Sequence, residues 1–400
     1  MKRLLIPKFN FGGHYLEYVN HIYQYAINSN RVDGIEYIFC LSFEFAKYIR
    51  EIPGREDIIV YILSDEDMKK LDFTNNSAYI KDYKANRLLK KLILKYSVTD
   101  VFHIHLTDIM RFLPIFTVRG VKYAGIFYSV YFYKMKELAG LRKLQEYAIQ
   151  KFLSINDGVS SIFICNDSSA ACAFNKYFHT KKYKKIPDPF VLIKREESFL
   201  KFRELNGISN DSIILAHFGS MTARKGTLEI LKAILKVNNS IAKNMTFVFA
   251  GKIDKNIQDE FHKLVNKCKS KTNIIVRDEF CPFDYLAGLC MNSQYILMPY
   301  FNTENSSGMF GYASQFGVPV VANNKNLTRK LVKYYHLGIL LDDISSIGLC
   351  DFFNSLLKTK VYRVSDKYAK VNNVDTFIQT ILNCLSSTYK CNFLGADNKQ

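Results

Sequence analysis

The chain has 400 residues, 48% of them hydrophobic, 14% aromatic and 23% charged, which excludes a disordered polymer and supplies enough apolar material for two packed domains. No run of about 18 apolar residues occurs, and the opening MKRLLIPKFNFGG has only a short apolar stretch before Pro7, so neither a membrane-spanning helix nor a secretory signal is expected. The nine cysteines lie scattered from Cys40 to Cys391 without a C-x-x-C pair, a pattern of reduced thiols in a cytosolic protein rather than of a disulfide framework or a zinc site.

The net charge of +18 is unevenly spread. Residues 1–80 carry 9 basic and 11 acidic side chains, whereas residues 81–187 carry 19 basic and 7 acidic, a local excess of +12. Within that excess, the stretches 81–96 and 134–151 read as helices with leucines and isoleucines on one side and lysines on the other. Three readings compete for such a pattern: a solvated helix face, attraction to anionic lipid headgroups, or nucleic acid. The last is not expected, because no helix-turn-helix, RNP-like or finger signature accompanies the charge. Core packing explains the apolar side of these helices as well as membrane contact does.

In chain order, β-rich runs are expected at 3–9, 35–43, 57–63, 100–106, 123–130 and 161–167, with helical periodicity between them. The stretch 181–190, KKYKKIPDPF, reads as a linker. Strands then resume at 211–220, 245–253, 272–280, 294–301 and 317–324. Strand–helix alternation of this kind predicts parallel sheets covered on both faces, one in each of two domains. The expected boundaries are 1–186, 187–375, and a terminal helix and tail over 376–400 that packs back on the first domain. His103 and His105 are expected on one face of a strand with nothing nearby to complete a metal site. Asp65, Glu66 and Asp67 are expected in a solvated loop.

Three clusters carry residue types suited to chemistry. The first runs from His217 to Thr227: Gly219 and Ser220 follow an apolar strand, and Arg224, Lys225 and Gly226 open a helix whose N–H groups and dipole favour an anion. The second runs from Pro299 to Gly308, where Glu304, Asn305, Ser306, Ser307 and Gly308 stand between a strand and a helix and offer several donors to a diphosphate. The third, Gly12 and Gly13, follows the first strand and taken alone is a turn. An ordinary loop with a solvated lysine explains the first cluster, and simple N-capping explains the second. Both stand at strand carboxyl ends of one sheet, where doubly wound folds bind ligands.

The ordered segments FGSMTARKG, FVFAGK and ENSSGMFGYASQFGVPVVA resemble the GT-B glycosyltransferases, most closely family 4 (group 1), over about residues 210–345. The resemblance implies two Rossmann-like domains facing a cleft. It implies a retaining, hexosyl-type transfer from a nucleotide-diphosphate sugar to a glycan or lipid-linked acceptor. It also implies that no metal or other cofactor is needed. On that basis Lys225 and Glu304 are the expected catalytic residues. The expected donor-binding residues are Gly12, Gly13, Gly219, Ser220, Arg224, Asn305, Ser306, Ser307, Gly308 and Tyr312. Three positions depart from the family pattern: Ser220 stands at its arginine, Tyr312 at its second glutamate, and Tyr128–Ser129 near its histidine. Tyr312 is expected to stack on or bond the nucleoside, unless it only packs against the sheet. The alternative reading is an inactive GT-B scaffold. With the basic excess of residues 81–187, the resemblance suggests peripheral association with the inner face of a cytoplasmic membrane during cell-surface polysaccharide or glycolipid synthesis.

Overall fold

The computed structural model describes residues 2–9, 15–29, 34–46, 54–71, 77–128, 138–358 and 363–385. The chain divides into two compact units, residues 1–187 with 374–400, and residues 188–373.

In the first unit seven strands form one sheet in the order β3-β2-β1-β4-β5-β6-β7. They are β1 (Lys2–Lys8), β2 (Ile35–Leu41), β3 (Ile58–Ile62), β4 (Asp100–His103), β5 (Lys122–Ile126), β6 (Val159–Cys165) and β7 (Tyr183–Ile186). Every pairing is parallel, with Leu4 opposite Tyr37 and Asp100. Parallel strands need crossovers, and helices supply them: α1 (Tyr15–Asn28), α2 (Ala78–Lys95), the short α3 (Leu113–Phe116) and α4 (Gly140–Ile155). Ser77 caps α2, its hydroxyl accepting from the Ile80 N–H at 3.4 Å. The sheet is buried on both faces, so its strands read as nearly continuous apolar runs; IEYIFCL of β2 is buried at every residue. The terminal helix α7 (Val374–Leu385) belongs to this unit and packs Phe377, Ile378, Ile381 and Leu385 with Leu4, Tyr18 and Phe39.

The second unit repeats the plan with six parallel strands in the order β10-β9-β8-β11-β12-β13. They are β8 (Ile213–Phe218), β9 (Met245–Ala250), β10 (Asn273–Arg277), β11 (Tyr295–Met298), β12 (Val320–Asn323) and β13 (Gly338–Leu341). Two of its helices matter for the site, α5 (Thr227–Lys236) and α6 (Met309–Phe316).

Several expectations change. The stretch taken as linker contains β7, an edge strand in which Tyr183 and Ile186 are buried and Lys184 donates to the Ser161 hydroxyl at 2.8 Å. Its lysines mask the alternation, as charges on edge strands do. The chain leaves the first unit only after Pro187. Strand β13, GILL, is not among the expected strands; it lies at the sheet edge and is half-buried at every residue. Helix α4 begins at Gly140; residues 129–137, including the expected start of this helix, lie outside the described residues. Asp65, Glu66 and Asp67 open the helix Asp65–Leu71, where carboxylates suit the dipole, and Asp67 accepts from the hydroxyls of Tyr61 and Ser64.

Candidate active site at the carboxyl ends of β8 and β11

Strand order reverses between β8 and β11, because β9 and β10 continue to one side of β8 and β11 to the other. A sheet that reverses there opens a crevice beyond those two carboxyl ends. Both expected loops leave from that place.

After Phe218 the chain turns at Gly219 (φ +85°) and passes a single 3₁₀ turn, Ala223–Lys225. It enters α5 through Gly226 at φ +70°. A Cβ on Gly226 would stand 2.3 Å from the Pro299 carbonyl oxygen, so a side chain there has no room. The Phe301 N–H donates to the Arg224 carbonyl at 3.0 Å. These two contacts, Gly226 against Pro299 and Arg224 with Phe301, join the two loops into one surface.

His217 supports the arrangement from below. Its Nδ1 lies 2.9 Å from the Leu297 carbonyl and its Nε2 lies 2.9 Å from the Thr227 hydroxyl. A carbonyl only accepts, so Nδ1 carries the proton and Nε2 accepts from Thr227. Burial pushes the ring down to about 4, which keeps it neutral. One side chain thus ties β8, β11 and the start of α5. The sequence reading included His217 in the cluster and gave it no part; a polar residue inside an apolar strand was its only signal.

Lys225 is half-buried, and its ammonium lies over the Tyr300 ring, 5.5 Å from the centroid, and beside Gly219. Among the described residues no carboxylate lies within ion-pair distance of it. Burial, with the Arg224 guanidinium nearby, lowers its pKa to about 8. Arg224 and Ser220 are exposed at the rim. Buried Tyr300 has its hydroxyl pushed up to about 12 by desolvation.

On the second loop the Glu304 N–H donates to Asn302 Oδ1 at 3.1 Å, and Thr303 is fastened by Asn326 at 3.0 Å. Glu304, Ser306 and Ser307 are half-buried, and Asn305 and Gly308 exposed. The Ser306 hydroxyl lies 3.4 Å from that of Tyr368, and the Ser307 hydroxyl accepts from the Met309 N–H at 3.4 Å. Gly308 has an ordinary helical φ of −57° and nothing within 4 Å of where a Cβ would be. The fold itself therefore does not require glycine there.

Tyr312 packs in the core, the alternative left open for it. Its ring packs edge-on against Phe190 and Phe218, at 5.2 and 5.3 Å, and lies beside Phe316 in the aromatic core. Stacking on a base is not open to a ring enclosed in this way. Gly12 and Gly13 lie outside the described residues.

The first unit holds a polar cluster of its own at the equivalent reversal, between β1 and β4. Strand β4 ends at His103, so His103 and His105 do not share a strand face. His103 is buried; its Nδ1 accepts from the His105 N–H at 3.2 Å, and its Nε2 has no partner among the described residues. Burial lowers it to about 3. His105 Nδ1 stands 2.7 Å from Asp108 Oδ1. Burial alone would raise Asp108, but the His105 hydrogen bond and neighbouring charges hold it below the usual carboxylate value. Lys8, buried at the end of β1, is lowered by desolvation, with Asp108 opposing.

Comparison of the whole structure with solved structures matches both units at once. The lipopolysaccharide-biosynthesis glycosyltransferase WaaG is 13% identical, with a TM-score of 0.66 over 96% of this chain and 100% of its own. Anabaena HepE in complex with UDP is 15% identical, with a TM-score of 0.69 over 97% and 100%. The chain has the GT-B fold. A UDP-GlcNAc 2-epimerase from Neisseria meningitidis shares the GT-B likeness at 12% identity and a TM-score of 0.63 over 96% and 100%, so the likeness fixes architecture and leaves chemistry to the site. No protein-family profile and no curated protein sequence matches the chain.

Proposed function

We propose that the chain is a retaining, hexosyl-type glycosyltransferase that takes its sugar from a nucleotide-diphosphate donor held by the second unit. The observation that carries this reading is the meeting of two loops where that unit's sheet reverses, with a desolvated Lys225 between them and Gly308 open to a ligand. The difficult step of sugar transfer is departure of the diphosphate as the sugar becomes cation-like. Lys225, Arg224 and the amino ends of α5 and α6 offer positive charge where the leaving group gathers negative charge. Neither Gly226 nor Gly308 has a side chain to cap those helices. Glu304 holds hydroxyls of the sugar. HepE, of like fold, is solved with UDP-glucose and with UDP, which favours a uridine donor. The acceptor, a glycan or lipid-linked saccharide, belongs to the first unit, and the basic excess of residues 81–187 favours work at an anionic membrane face.

The test is a panel of nucleotide sugars screened by thermal shift, followed by release of nucleoside diphosphate with and without acceptor saccharides. One donor should raise the melting temperature and be turned over. Binding without turnover would support an inactive scaffold, and no binding by any nucleotide would refute the reading.

A further inference from the structure

Helix α4 turns its apolar side away from the core. Leu141, Leu144, Ala148, Phe152 and Ile155 recur at helical spacing along one stripe. On that stripe Leu141 is 70% exposed, Leu144 63%, Phe152 58% and Ile155 56%. The buried side presents Gln150, Leu153 and Ser154 instead. Polar contacts fasten it: the Tyr183 hydroxyl donates to Gln150 Oε1 at 2.9 Å, and the Thr180 hydroxyl to the Ser154 carbonyl at 3.5 Å. Core packing therefore does not account for the stripe.

The surface extends beyond one helix. The Tyr79 hydroxyl of α2 donates to Gln145 of α4 at 3.3 Å. The outer face of α2 exposes Tyr79, Ile80, Tyr83 and Leu94 among Arg87, Lys90 and Lys91. An apolar stripe bordered by tyrosines and cations is the pattern of a helix lying in a membrane interface. A symmetric contact with a second copy would set this basic excess against itself, whereas an anionic bilayer complements it. No described helix is long and apolar enough to cross a membrane, so the contact is one of lying on the surface.

We propose that the outer stripe of α4, with the basic and aromatic face of α2, docks on an anionic lipid bilayer. Leu141, Leu144, Phe152 and Ile155 enter the headgroup boundary, and Arg87, Lys90 and Lys91 meet the lipid phosphates. This rests on the membrane part of the proposed function and is independent of the donor site.

The chain contains no tryptophan, so Phe152→Trp introduces a single reporter on the stripe, and Tyr334→Trp, exposed in the second unit, serves as control. With vesicles of phosphatidylglycerol and phosphatidylcholine, the Phe152→Trp emission should shift to the blue and be quenched by brominated lipid, while Tyr334→Trp stays unchanged. The double variant Leu144→Ser, Phe152→Ser should lose about tenfold or more in vesicle affinity. Its melting temperature and nucleoside-diphosphate affinity should be retained. Vesicle binding without a shift at Phe152→Trp, or undiminished binding by the double variant, would overturn the assignment. So would a blue shift that follows protein concentration in the absence of lipid, which gives the face to a second copy. Loss of the donor reading would appear separately, as absent nucleotide binding by the wild type.

Discussion

The two sheets reverse strand order at equivalent places, between β1 and β4 in one unit and between β8 and β11 in the other, yet the residues gathered there differ in kind. In the second unit a half-buried lysine, with no carboxylate within ion-pair distance among the described residues, stands between two loops that enter helices through glycine. In the first unit Lys8, His103, His105 and Asp108 form a mixed cluster in which His105 and Asp108 already satisfy each other. One fold thus offers the same crevice twice, and the side chains at the strand ends make the two differ in charge and hydrogen bonding.

The contrast can be tested most strongly at Lys225. Lys225→Ala removes the charge proposed to balance the leaving group, and kcat/KM should fall by about 2–4 kcal/mol of transition-state stabilisation. Steady-state kinetics with the donor found by screening checks this, and wild-type turnover in a folded variant would abolish the distinction between the units. Next in size is Gly226→Ala, which forces a Cβ to 2.3 Å from the Pro299 oxygen at positive φ. It should cost about 1–3 kcal/mol of stability in a denaturant titration. Gly308→Ala is its complement. With free space and a helical φ, it should leave the melting temperature unchanged or slightly raised while weakening nucleotide affinity about tenfold. Equal effects of the two substitutions on stability would mean that Gly308 serves the fold.

Acidity distinguishes the units less and tests them together. His103 and His217 are held neutral, lowered to about 3 and about 4 from 6.5. Unfolded histidines take up protons first, so the stability gained by keeping these rings neutral is present above pH 6.5 and is lost as pH falls toward 4. Melting temperatures measured across that range should decline. His217→Phe, which breaks two hydrogen bonds, should start lower and decline less steeply than the wild type.

Much of this architecture was legible in the sequence, and the exceptions have physical causes. Strands buried on both faces announce themselves as apolar runs, so the inner strands were placed within a few residues. Edge strand β7 escapes because lysines interrupt its apolar pattern, and β13 is only half-buried along its length. In the site, glycines at strand ends and the Lys225–Gly226 helix start were visible as local chemistry. What periodicity does not reveal is which side of a helix faces in: the apolar side of α4 suits core packing and membrane contact equally in the sequence, and it stands in solvent. Nor does it show that Tyr312 would be enclosed by Phe190, which approaches from the segment entering the unit.

Calorimetric titration of uridine diphosphate into the wild type and Lys225→Ala, at pH 7 and again at pH 9.5, tests the central claim most directly. Burial lowers Lys225 to about 8, so its charge is largely present at the lower pH and largely lost at the higher. The account predicts one saturable site in the wild type, with affinity about tenfold or more weaker at the higher pH, and weak, nearly pH-independent binding by the alanine variant. Equal affinity of the two proteins at pH 7 would contradict it.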